Sequence, residues 1–170
     1  MTRGITAALV AAIAAIGLAG VAIADNGNSA KPYKASLAAV NPAATTAGVA
    51  GAAGKAQLVD GKKNNKVSLH MRGLAANTTY LWHVHVGSCA ATGAPVPGWT
   101  YRTQVGANGT LTSDASGVAN TRGKSSTFTA AAGTSYSVNV HVSTATNGVA
   151  AGTIIACGDL KLNKGAGKAK

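Results

Sequence analysis

Glutamate is absent from this 170-residue chain, and 4 acidic residues face 15 lysines and arginines, a formal net charge of +11. A balance so one-sided favours anionic partners: an acidic cell envelope, nucleic acid or a small anion. Aromatic residues make up only 4%. The basic residues are spread out except in the tail Lys161–Lys170. With few aromatics and no packed Arg/Lys stripe, the chain lacks the usual footprint of a nucleic-acid binder, and no nucleic-acid partner is expected. There is no CxxC, no phosphate-binding loop and no defensible Ser-His-Asp arrangement. Helix signals are nearly missing after residue 24, and no internal repeat is visible.

What is present begins with a leader. A basic start at Arg3 precedes an apolar run, Ile5 to Ala24, closed by Ala22, Ile23 and Ala24, the small-x-small pattern of a signal-peptidase site. Residues 1–24 therefore read as a signal peptide, with a retained anchor as the alternative. No cysteine lies beside the cleavage site, which argues against a lipid anchor. Residues 25–34 read as a flexible N-terminal segment and residues 163–170 as a basic tail. Between them, residues 35–162 are long enough for one domain with its own core. The expected location is extracytoplasmic: secreted, or held at the cell envelope. In an exported chain the 2 cysteines, Cys89 and Cys157, read as one disulfide. The bridge would close a long loop, worth about 4 kcal/mol in the chain-entropy model.

Short alternating runs separated by Gly and Asn turns predict an all-β sandwich or barrel. Residues 66–72 alternate cleanly, with Val67, Leu69 and Met71 on one face and Ser68, His70 and Arg72 on the other. Residues 79–86 place Tyr80, Trp82, Val84 and Val86 on one face and Leu81, His83 and His85 on the other. Residues 88–109 read as a long loop in which Trp99 and Tyr101 either pack over a site or close the loop. A hairpin is expected over residues 109–122, turning at Asp114–Gly117. Residues 134–142 read as a strand with its valines inward and Asn139 and His141 outward. The last strand spans residues 153–162.

The chain has 4 histidines, and 3 of them share a facing on two of these strands. His83 and His85, two apart on a strand, project to one face about 6–7 Å apart along the chain. If the strand bearing His141 is its neighbour, three imidazoles meet outside the core. Imidazole suits copper and zinc, and three nitrogens suit a trigonal Cu(I) or an open-sited metal. The alternative is a set of solvated polar residues on an exposed face. His70 faces outward without an obvious partner and reads as a surface residue.

Four short segments resemble the Cu,Zn superoxide dismutases, above all the exported bacterial forms, in the family's order over residues 56–162. Gly73-Leu74, then His83-Val84-His85 followed by Cys89, is similar to the family's Gly-Leu, His-Val-His and disulfide cysteine. Leu111 to Ala119 resembles its Leu-x-x-Asp-x-x-Gly-x-Ala turn. Val138 to His141 resembles its Val-x-Val-His strand, and Ala156-Cys157-Gly158 its Ala-Cys-Gly. The resemblance implies an eight-stranded Greek-key β-barrel, one copper ion held on the outer face by His83, His85 and His141, a Cys89–Cys157 disulfide, and superoxide as substrate. It also implies a monomer or homodimer.

The departures are equally specific. The family's long loop supplies a histidine bridging copper to zinc, with further zinc ligands beyond it. Residues 90–109 contain no His, Asp or Glu, and Pro95 and Val96 stand near the bridging position. No zinc is expected. The family's substrate-guiding arginine before Ala-Cys-Gly is replaced by Thr153, Ile154 and Ile155, leaving Arg102 or Arg72 as substitutes. Three functions fit: a copper-only dismutase slower than the family norm, a copper-binding or buffering protein without turnover, and a metal-free structural module whose basic surface and tail hold an anionic envelope.

Overall fold

The computed structural model describes residues 30–61 and 65–163. The expected signal peptide, half of the expected N-terminal segment, part of the turn after Asp60 and nearly all of the basic tail lie outside these residues. Among the described residues, no helix is long and apolar enough to cross a membrane.

The strands arise where the sequence alternates. β1 (Lys31–Ala39), β2 (Ala53–Asp60) and β3 (Asn65–Arg72) form an antiparallel meander. Along β3, Asn65, Val67, Leu69 and Met71 are buried while Lys66, Ser68 and Arg72 are exposed, the period-2 signature of a sheet with one wet face. β1 starts at Lys31, inside the segment expected to be flexible, because Lys31 to Lys34 pair with Asp60 to Gln57 of β2. The link from β1 to β2 carries a single helical turn, α1 (Ala43–Thr46).

The remaining strands are β4 (Thr79–Ser88), β5 (Ala91–Pro95), β6 (Thr100–Tyr101), β7 (Gln104–Val105), β8 (Asn108–Thr112), β9 (Ala119–Ser125), β10 (Tyr136–Val142), β11 (Ile154–Asp159) and β12 (Lys161–Leu162). The main path runs β9-β3-β2-β1-β11-β10-β4-β8, with the short β5, β6, β7 and β12 attached around it. β6 pairs with β9 and β7 with β8, so these short strands draw the two ends of the path together into a nearly closed antiparallel β-barrel. The all-β barrel expected from the sequence is thus present. The interior is filled by Trp82, Leu58, Leu69, Met71, Ile155, Val84, Val138 and Val140.

Three local expectations are corrected. Residues 88–109 are not an irregular loop: they hold β5, β6 and β7. Trp99 and Tyr101 are core residues, with Trp99 against Phe128 at 5.3 Å and Tyr101 against Trp82 at 4.8 Å between ring centroids. The turn at Asp114–Gly117 forms, with Asp114 Oδ1 accepting the Ser116 and Val118 N–H groups. Yet the strands it joins are not hairpin partners, since β8 ladders with β4 and β9 with β3. The chain arches between two parts of the barrel. Val86, expected inward, is 41% exposed. The ladder with β5 shifts between His85 and Gly87, and that irregularity carries the end of β4 away from the core.

Candidate metal centre

β4 and β10 are hydrogen-bonded neighbours, with His83 opposite Asn139, His85 opposite Ser137 and Leu81 opposite His141. This adjacency brings the three imidazoles together. Ring centroids are 4.5 Å apart for His83 and His85, 4.5 Å for His83 and His141, and 5.5 Å for His85 and His141. One nitrogen from each lies within 4.8 Å of the others, a spacing one ion can span.

The set is not a surface cluster, as the sequence suggested. His83, His85 and His141 are 8%, 5% and 6% exposed. They point away from the hydrophobic interior, but the chain covers them. β5 folds back beside β4, placing Pro95 opposite His85. Every residue of β10 is buried, on both faces of the strand. The fold-back is tight: a Cβ on Gly87, whose φ is +94°, would stand 2.2 Å from the Ala91 carbonyl oxygen. Only glycine fits there.

Two main-chain carbonyls orient the rings. His85 Nδ1 donates to Gly93 O and His141 Nδ1 donates to Gly152 O, each at 2.8 Å. A carbonyl can only accept, so the proton of each neutral ring sits on Nδ1 and the lone pair on Nε2. These carbonyls play the outer-shell part that orients ligating histidines in metal sites. Both histidines also adjoin ladder irregularities, between His85 and Gly87 against β5 and between Val140 and His141 against β11. Such bulges re-aim side chains.

The nitrogens left over are the informative ones. His83 Nδ1, His85 Nε2 and His141 Nε2 are buried and have no hydrogen-bond partner. Buried polar atoms are normally paired, so three orphans in one cluster demand an explanation, and an ion is one that serves all three. The electrostatics agree. Burial, reinforced by the neighbouring His141 and His85, pushes the His83 pKa down to about 3. Burial also lowers that of His141, against the opposing effect of its bond to Gly152. Neutral imidazole is the form that binds a metal.

His70 stands apart from the cluster, with Nδ1 bonded to Asn120 Oδ1 at 2.7 Å. Arg102 lines a groove whose walls include none of the three histidines. Arg72 is exposed at the end of β3, opposite Ala53. The disulfide joins Cys89 and Cys157, with Cα atoms 5.8 Å apart. It ties the segment after β4 to β11, and Asp159 Oδ1 accepts the Cys89 N–H at 2.7 Å beside it. A disulfide is the mark of an oxidising, extracytoplasmic compartment. The orienting carbonyls of Gly93 and Gly152 were not readable from the sequence, because a main-chain acceptor leaves no residue-type signal. The chain matches no protein-family model and no curated protein sequence.

Proposed function

We propose that the protein is an exported copper-binding protein of the superoxide-dismutase type, turning superoxide into oxygen and hydrogen peroxide at a zinc-free, three-histidine site. The observation that carries the reading is the convergence of three buried, unpartnered imidazole nitrogens, two of them fixed in tautomer by backbone carbonyls.

The donor set favours copper over zinc. It is neutral and buried, with no carboxylate or thiolate in the group. A monovalent ion leaves less uncompensated charge there than a divalent one, and burying charge is costly. Three imidazoles suit Cu(I), and an added water accommodates Cu(II). Copper, when bound, supplies one-electron chemistry, oxidising one superoxide and reducing the next. The chain supplies the rest. His83 Nδ1, His85 Nε2 and His141 Nε2 hold the ion, and Gly93 O and Gly152 O keep two of the rings turned toward it. The excess of positive charge attracts a small anion over long range, an effect that weakens with salt. β5 brings Pro95, not an imidazole, to the side of His85, so protons for peroxide come from solvent and turnover is slow.

A second reading has its own support. The deep burial of all three histidines suits retention of Cu(I) more than rapid exchange of small molecules, as a copper-buffering protein needs. One experiment separates the two: copper content and superoxide consumption measured together on the purified protein and on a His83→Ala/His141→Ala variant. Consumption that tracks one bound copper and disappears in the variant supports dismutation. One tightly held copper without consumption supports buffering. Copper absent from both proteins removes the metal reading.

A further inference from the structure

A groove of about 960 Å³ runs across the outer face of the β1-β2-β3-β9 sheet, and none of the three clustered histidines lines it. The ladder registers dictate its charge layout. Lys161 of β12 is opposite Lys34, Lys34 opposite Gln57, Gln57 opposite Ser68, and Ser68 opposite Arg122. With strands about 4.8 Å apart, Lys34 and Arg122 stand roughly 14 Å from one another across the sheet. Arg102 donates its N–H to Arg122 O and lines the same wall as Arg122. One register row along, Ser36, Lys55, His70 and Asn120 form a parallel line. The result is two cationic walls, a hydroxyl- and amide-bearing floor, and Lys55 within it.

Lys34, Lys55, Arg102, Arg122 and Lys161 line the groove, and among the described residues the one acid that joins them is Asp159. Each described aspartate spends carboxylate oxygen on backbone N–H groups: Asp60 on Ala130, Asp114 on Ser116 and Val118, Asp159 on Cys89. Lys34 and Lys161, directly opposite on paired strands, form a like-charge pair of the kind that destabilises a ladder unless an anion relieves it.

We infer that this groove binds a linear anionic polysaccharide. Spaced cations alternating with Gln57, Ser68, Ser36 and Asn120 match a polymer that alternates acid groups with hydroxyls. Among the described residues no Trp, Tyr or Phe lines the groove, so it lacks the large aromatic platforms on which the bases of a single-stranded nucleic acid stack. The exposed large apolar residues, Val86, Val105 and Leu162, all lie outside it, so it has no wedge for a lipid bilayer. The inference is independent of the copper reading.

The test is titration of the full mature chain with polygalacturonate, beside uncharged dextran, poly(dT) and phosphatidylglycerol vesicles, at two salt concentrations. Polygalacturonate is expected to bind, more weakly at the higher salt, while dextran does not. Lys55→Glu/Arg122→Glu is expected to raise the polygalacturonate Kd at least tenfold, with copper content and thermal unfolding unchanged. Gln57→Ala/Ser68→Ala is expected to weaken polygalacturonate several-fold and leave any poly(dT) binding as it was. Absence of binding, or binding indifferent to the Lys55/Arg122 pair, overturns the proposal. So does loss of binding on replacing the tail lysines Lys164, Lys168 and Lys170 by Gln instead. Equal or tighter binding of poly(dT) or vesicles overturns the polysaccharide assignment in favour of that partner.

Discussion

Replacing both cysteines, Cys89→Ala/Cys157→Ala, removes the one covalent tie between the segment after β4 and β11. The disulfide spans 68 residues. For a loop of that length, the chain-entropy model gives about 15 cal/mol/K of restricted freedom in the unfolded chain, or about 4.4 kcal/mol at 25 °C. Cys157 is buried, so losing its sulfur adds a packing loss of about 1 kcal/mol. For a domain of this size, with a urea slope of about 2 kcal/mol/M, the unfolding midpoint should fall by about 2–3 M. Trp82 and Trp99 are buried and report the transition by fluorescence. The folded barrel should persist in water, because β10 still ladders with both β4 and β11 and holds the cysteine-bearing segments in place. The urea slope should therefore change little and copper stoichiometry should be retained. A midpoint shift under 0.5 M would refute the loop-closure reasoning. A variant that is folded but has lost copper would show that the bridge positions β5, and through Gly93 the His85 ring, and does not merely restrain the unfolded chain.

Other perturbations probe the site and the core. The metal-free protein should lose stability as pH falls: unfolded His83 takes up a proton near 6.5, whereas in the barrel it resists until about 3. In that window the unfolded state binds more protons, so one such histidine costs about 2 kcal/mol between pH 7 and 5. Urea midpoints at the two pH values should differ by correspondingly less in His83→Asn, and an identical difference would contradict the assignment. Gly87→Ala should reduce copper occupancy, because its Cβ collides with Ala91 O and displaces the strand bearing Gly93; unchanged metal content would show that β5 does not control His85. Gly109→Ala sets a Cβ 2.6 Å from Trp82 Nε1 and 2.7 Å from Tyr101 Cγ. It should destabilise by about 1–3 kcal/mol in chemical denaturation, since the packed rings have little room to yield.

The histidine set was legible in the sequence because strand parity is a strict rule: alternation put His83 and His85 on one face and His141 on the same face of its own strand. The closure over that set was not. β5, β6 and β7 are two to five residues long and interleaved with prolines and glycines, so they show no period, and the strength of a sheet lies in partners that local sequence does not name. The Asp114–Gly117 turn was visible from its residues, but a turn motif specifies a reversal, not which ladder each arm joins. Val86 fits the inward parity of β4 and fails only because a bulge, a property of the paired strands, intervenes. Trp99 and Tyr101 offered no local reason to choose between core and site.

The β4–β10 ladder has a kinetic consequence. It joins segments that are far apart in the chain, and such pairings form late because a large loop must close before any contact rewards it. The three nitrogens therefore come within reach of one another only when most of the barrel has assembled. On the proposed copper reading, an ion would then not nucleate folding but meet a site already assembled, with β5 paired beside His85. Loading, on that same reading, would follow folding, and opening of the fold-back beside His85 would limit its rate.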